Sequence, residues 1–294
     1  MNGALEGASG LAVLDVEPEE FNLELTLGCG QVFHWERSGA GYIGLMGEVP
    51  AYVEQAGPEL RLTAGVEAVA SRYFALDHPL EAIYASFPKD PAMNAALEFC
   101  RGLRLIRQPL WECVATFITS AMKQVPHITQ MSHSLRRTFG SAVSWQNQTL
   151  HAYPTPERIA MASEADLREC RLGFRAKNLL GAARMVASGE VDLAAITRLE
   201  DEPALRELCR LPGVGVKVAN CALLFAYERP RAFPIDVWIE RILREIYFTR
   251  KRKVTVQRLK KFSESYFGPY SGYAQQYLFH HARKTWKLRG RQTA

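Results

Sequence analysis

The chain is poor in the features that would place it in several functional classes. None of its six cysteines, at positions 29, 100, 113, 170, 209 and 221, forms a C-x-x-C pair, and no histidine stands at metal-ligand spacing from them. Neither a zinc site nor an iron–sulfur cluster is therefore indicated, and scattered thiols fit a reducing compartment better than a disulfide framework. Residues 1–12 hold no Lys or Arg ahead of an apolar stretch, and no window approaches the ~18 apolar residues of a membrane span. Neither secretion nor membrane insertion is expected. Internal repeats and low-complexity segments are also missing.

What is present is the balance of a folded protein: 294 residues, 48% hydrophobic and 23% charged, enough for two or three subdomains. Lys and Arg number 36 against 31 Asp and Glu, a net charge of +5 that suits a polyanionic partner without demanding one. Its distribution is less even. Arg241, Arg244, Arg250, Lys251, Arg252, Lys253, Arg258, Lys260 and Lys261 crowd one stretch, and Arg283, Lys284, Lys287, Arg289 and Arg291 crowd the tail. Taken alone, these are explained most simply as solvated surface.

Patterning divides the chain. Over residues 21–65, short runs punctuated by Gly and Pro predict strands at Gln31–Trp35, Tyr42–Met46, Ala51–Gln55 and Leu60–Thr63. Helical periodicity then takes over, beginning with Pro91–Leu105 and Pro109–Gln124 and continuing to about residue 285. The fold expected is α+β: an N-terminal antiparallel sheet domain with flanking helices over 1–105, then a helical region over 106–294.

The most informative stretch is Leu208-Cys209-Arg210-Leu211-Pro212-Gly213-Val214-Gly215-Val216-Lys217-Val218-Ala219. One helix ends near Arg210, a tight hairpin carries two glycines, and a second helix begins near Gly215, giving a helix-hairpin-helix over about 201–227. Free N–H groups at the second helix's start, with the positive end of its dipole, suit a DNA phosphate and are indifferent to base sequence. Lys217 follows, flanked by Val216, Val218 and Ala219. Apolar flanks desolvate an ammonium and favour the neutral, nucleophilic amine, although a lysine beside such a hairpin is more often a phosphate contact. Nineteen residues on, Asp236 stands in Phe233-Pro234-Ile235-Asp236-Val237-Trp238, where an apolar segment enters a helix. It reads as an N-cap and equally as a fixed carboxylate able to stabilise positive charge on a deoxyribose as its glycosidic bond breaks. Amine and carboxylate together form a complete set for base excision with strand nicking.

At this point the sequence resembles the helix-hairpin-helix-GPD superfamily of DNA glycosylases and, within it, the eukaryotic-type 8-oxoguanine DNA glycosylases. The resemblance runs from about Gly30 to Phe279. It rests on Gly30-Gln31-Val32-Phe33-His34-Trp35, Leu172-Gly173-Phe174-Arg175-Ala176, Leu211 to Lys217, and Gly268-Pro269-Tyr270-Ser271-Gly272-Tyr273-Ala274-Gln275. It implies a small sheet packed on helical subdomains with the lesion pocket between them, a Schiff base on Lys217, and Asp236 as the essential acid. It also implies that the Gly30 carbonyl accepts the N7–H of 8-oxoguanine, that Gln275 reads the Watson–Crick edge, that Phe279 and Cys221 sandwich the base, and that Pro234 lines the pocket. Stacking and edge contacts are what a flipped base needs. Gly213 and Gly215 hold the hairpin against DNA. No cofactor is implied, the one inorganic ligand considered being a structural monovalent or divalent cation at the hairpin carbonyls. The partner implied is double-stranded DNA containing 8-oxoguanine, bound by a monomer inside the cell, in the cytoplasm or nucleoid of a bacterium or the nucleus of a eukaryote.

The chain also departs from this pattern. Met122-Lys123-Gln124 stands where the family has consecutive asparagines, and His127 where it has an arginine that reads the orphaned cytosine. Arg175 keeps the other cytosine-contacting position, and Phe174 replaces a wedging tyrosine. Trp238 stands where well-known members have histidine. Three rivals remain: an alkylpurine glycosylase, which usually lacks the hairpin lysine; a pyrimidine-specific relative, which usually carries a four-cysteine cluster; and a non-catalytic DNA-binding module, which has no need of Asp236.

Overall fold

The computed structural model describes residues 10–248 and 254–286. Arg250, Lys251, Arg252, Lys253, Lys287, Arg289 and Arg291, part of the two basic stretches, lie outside them. Five antiparallel strands, β1 (Leu11–Asp15), β2 (Glu36–Ser38), β3 (Gly41–Met46), β4 (Val49–Ala56) and β5 (Glu59–Thr63), form one sheet in the order β1-β5-β4-β3-β2. Its register sets Val53 opposite Leu62 and Leu14 opposite Leu60. Alternation buries Ala51, Val53, Leu60 and Leu62, and these close on Phe21, Phe74 and Ile106 as a core of their own. A larger core fills the helical body. Helices Leu80–Ser86 and Pro91–Cys100 contribute to this second core, and the latter packs on the C-terminal helix Ser271–Thr285.

The α+β architecture is the one expected, but three local expectations need correction. Gln31–Trp35 forms no strand. Gln31 is fully buried, and its side chain takes over the bonding of a ladder: Nε2 donates to the carbonyls of Thr26 (2.9 Å) and Arg104 (2.8 Å), and Oε1 accepts from the Ile106 amide (2.8 Å). Strand β1 and a separate hairpin, β6 (Ala142–Trp145) with β7 (Gln148–His151), were not expected. The turn of that hairpin puts Gln146 at φ 50°, so it lacks the glycine that signals such turns. The helix foreseen over Pro109–Gln124 is Leu110–Ser120, because Met122 adopts φ 55° and ends it.

The two parts meet across a buried charge cluster. Glu112, on the Leu110–Ser120 helix, pairs with Arg136 of the Val125–Phe139 helix and lies 3.5 Å from His34 Nδ1. Nε2 of His34 is bonded to the Leu45 carbonyl of β3 (2.8 Å), and burial holds this imidazole well below its usual pKa and therefore neutral. A buried pair adds little net stability, but removing one partner strands the other's charge. Glu112→Ala is expected to lower unfolding free energy by about 3–5 kcal/mol, with Glu112→Gln costing less, as measured by urea denaturation. Equal, small losses for both would show that Arg136 finds water instead.

Candidate active site

The first hairpin helix is Asp201–Leu208 and the second Val216–Phe225. Between them Leu208, Leu211 and Val214 are buried as anchors, and the Val214 amide donates to the Leu211 carbonyl (3.0 Å). Gly213 takes φ 81° against the Asn178 side chain, a place where a side chain is strained. Gly215 is the N-cap of the second helix and supplies no side-chain cap, so the first-turn amides stay free for a ligand. Gly213, Gly215 and Val216 are exposed beside them.

Lys217 is the second residue of that helix and half-buried. Its ammonium lies 5.2 Å from the centre of the Phe117 ring, and Phe117 in turn stacks on Phe225. One turn on, Cys221 is buried. Burial pushes the Cys221 thiol up, Lys217 opposes this, and Asp236 reinforces it. The three side chains therefore act on one another.

Asp236 caps the helix Val237–Ile242, accepting from the Ile239 amide at 2.8 Å. Capping and a chemical role are compatible, because the bond that starts the helix also fixes the carboxylate. The segment leading to it is held by the C-terminal helix: the Gly272 amide donates to the Pro230 carbonyl (2.8 Å) and Ser271 Oγ to the Arg231 carbonyl (3.0 Å). Pro234 is buried, and Trp238 is half-buried against the core. Burial raises the Asp236 carboxyl above the usual carboxylate value, opposed by the Ile239 amide and by Lys217.

A second group of side chains comes from the Gly30 turn and the C-terminal helix. Gly30 takes φ 86°, and a side chain there would run into Arg283 Nη1, only 2.6 Å from the position of its Cβ, with Phe279 at 3.7 Å. Gln275, Phe279 and Arg283 fall at four-residue spacing on one stripe of Ser271–Thr285. Gln275 is buried, yet its Oε1 has no partner among the described residues. Phe279 is half-buried. A carbonyl oxygen left bare in a protein interior is costly unless a ligand's donor meets it.

Two exposed apolar side chains flank the site. Met122 is 91% exposed and Phe174, which begins the helix Arg175–Ala187, is 57% exposed. His127 is exposed on the first turn of Val125–Phe139, an end that no side chain caps. Arg175 departs from expectation. Rather than facing outward toward a cytosine, it is buried, with its guanidinium 4.3 Å from the Phe174 ring centre and Nε donating to the Ala121 carbonyl (2.7 Å). It ties the two wedge candidates together. Two contributors escaped sequence reasoning: Arg283, which the basic tail disguised, and Phe117, which looked like any core aromatic. For Arg283 the signal was there, four residues beyond Phe279 on the same face. Among the described residues no group of three or more His, Cys, Asp or Glu could hold a metal ion.

An amine and a carboxylate at two helix starts, with an unpaired buried amide oxygen and an aromatic ring on the C-terminal helix, are the groups that a DNA base-excision enzyme needs. Comparisons with known proteins place it further. Residues 13–114 match the 8-oxoguanine DNA glycosylase N-terminal domain, and residues 115–266 match the HhH-GPD superfamily base excision DNA repair protein model. The probable N-glycosylase/DNA lyase of Methanothermobacter thermautotrophicus is 32% identical over 72% of this chain and 73% of its own. The Arabidopsis thaliana N-glycosylase/DNA lyase OGG1 is 29% identical over 88% of this chain and 77% of its own. The Clostridium acetobutylicum 8-oxoguanine glycosylase/lyase, solved with double-stranded DNA containing cytosine opposite 8-oxoG, superposes with a TM-score of 0.86 at 30% identity, covering 94% and 96% of the two chains. The chain belongs to the HhH-GPD superfamily of base excision DNA repair proteins.

The raised pKa of Asp236 carries a sign. A carboxyl whose folded pKa exceeds its unfolded value favours the fold while protonated, and that contribution is lost as pH rises through the folded pKa. At neutral pH the ionised Asp236 is thus a cost, and asparagine caps a helix equally well. Asp236→Asn is expected to raise Tm at pH 7 while nearly abolishing base excision. Calorimetry and a single-turnover excision assay check both halves, and a lowered Tm would contradict the burial argument.

Proposed function

We infer that this protein excises 8-oxoguanine from duplex DNA and nicks the strand at the resulting site, working as a monomer wherever the cell keeps its DNA. The observation that carries this reading is the half-buried amine of Lys217 on the first turn past the hairpin, 5.2 Å from the Phe117 ring centre, with the Asp236 carboxylate fixed at the start of a second helix. The likeness to named N-glycosylase/DNA lyases and to an 8-oxoguanine glycosylase/lyase supports the substrate. In this reading the free amides past Gly215 hold a backbone phosphate, Met122 and Phe174 fill the vacated stack, and the lesion enters between Phe279 and Cys221. The Gly30 carbonyl accepts N7–H, a donor guanine lacks, and Gln275 Oε1 accepts from the Watson–Crick edge.

Chemistry then needs only groups of this chain. The neutral amine of Lys217 attacks C1′ as the C1′–N9 bond breaks, and its electron pair leaves with the base. Asp236 stabilises positive charge on the sugar. The secondary ammonium so formed gives up a proton, the base anion takes one up, and ring opening gives an imine from which β-elimination cleaves the strand. No cofactor enters, and a cation on the hairpin carbonyls would serve only to steady the phosphate.

Borohydride is expected to trap a covalent adduct between the protein and an 8-oxoguanine duplex, and Lys217→Gln to form none. An adduct that persists in the variant would move the nucleophile elsewhere. Excision rates opposite the four bases are expected to differ by less than about tenfold, because Met122 and the exposed His127 lack the bidentate donors that distinguish bases by ~1–3 kcal/mol. A strict preference for cytosine would return that role to Arg175, after a rotation outward.

A further inference from the structure

We propose that Arg283 is a further catalytic residue of the base slot, donating through Nη1 to a carbonyl oxygen on the N7 edge of the departing base and thereby stabilising the negative charge that forms on it. This rests on the excision reading above and adds a role that neither Lys217 nor Asp236 can fill.

Three observations converge on it. Nη1 occupies the space opened by the missing side chain of Gly30, 2.6 Å from where a Cβ would stand. It is buried and has no hydrogen-bond partner among the described residues, one of two such atoms on this stripe of the C-terminal helix, the other being Gln275 Oε1. The rest of the guanidinium is anchored: Nη2 donates to the Gly28 carbonyl (2.6 Å) and lies 3.4 Å from His280 Nδ1, while the group sits 5.4 Å from the Phe279 ring centre.

The two orphans are complementary to one purine. A bare acceptor at Gln275 suits the N1–H and N2–H donors of a guanine-type base, and a bare donor at Arg283 suits O6 or O8, the oxygens flanking N7–H. Each buried group is expensive alone and satisfied by the same ligand. The electron count gives this oxygen-facing donor its purpose. When the C1′–N9 bond breaks, the pair stays on the base and spreads to its carbonyl oxygens until N9 is protonated, so a fixed cation there is stronger in the transition state than in the ground state. Asp236 answers the positive charge left on the sugar, and Arg283 answers the negative charge carried away.

The test compares two substrates. Arg283→Met keeps the stem that packs on Phe279 while removing the donors. Single-turnover excision of 8-oxoguanine at saturating protein is expected to fall about 10²-fold, as for loss of one donor to a developing anion. Strand cleavage at a preformed abasic site, where no base remains, is expected to change less than about threefold, and Arg283→Lys to recover part of the excision rate. Excision and abasic cleavage falling together would reduce Arg283 to a structural role. Unchanged excision would remove it from the chemistry, and faster excision would make it a plug that the base must displace. Failure of the unmodified protein to excise 8-oxoguanine would instead overturn the functional reading itself.

Discussion

The turn Gly28–Gln31 is pinned from two sides, and the slot depends on that clamp. On one side, Gln31 bonds to Thr26, Arg104 and Ile106, and Gln108 Nε2 donates back to the Gln31 carbonyl at 2.8 Å. From the C-terminal helix, Gln276 Nε2 donates to the Cys29 carbonyl (3.1 Å) and Arg283 to that of Gly28. Buried amides of this kind hold a unique geometry because every alternative leaves them unpaired. The same helix presents Gln275, Phe279 and Arg283 to the slot and holds Pro230 and Arg231 ahead of Asp236. One helix therefore positions both the side chains proposed to read the base and the carboxylate proposed to serve the sugar.

Burial favours the neutral forms of two groups at this site. It raises the Asp236 carboxyl and the Cys221 thiol, which keeps the thiol neutral one turn beyond Lys217. In the proposed reading that neutral sulfur is a polarizable face for a stacked base. Stability and function pull apart at Asp236, which the fold would prefer protonated, as is usual where a charge is retained for chemistry rather than for packing.

Much of this was legible in the sequence because it is written in local grammar. The hairpin string, the lysine after it and the aspartate at a helix start each have spacing that survives without knowledge of the fold, and the slot residues followed from the resemblance. Most of the failures share a cause. Gln31–Trp35 has the composition of a strand, but a buried glutamine with partners up to 77 positions away in sequence overrides it. Arg175 was read as a cytosine contact and Arg283 as part of a basic tail, since a sequence pattern cannot distinguish a side chain in solvent from one bonded to a carbonyl 54 or 255 positions away. Long-range partners, not propensities, decided these. The β6–β7 turn is the local exception, because it lacks its glycine.

The Met122 loop shows how such a partner can sustain a costly conformation. A non-glycine residue at φ 55° with an almost fully exposed apolar side chain is unfavourable twice over, in backbone strain and in hydration. Arg175 braces it, with its guanidinium bonded to the Ala121 carbonyl and set over the face of Phe174. A cation held in this way must rotate outward before it can read a base on the opposite strand. In the proposed reading the two roles therefore compete for one side chain, and with His127 in place of a second reading arginine, discrimination on the partner strand is weakened in favour of a braced wedge.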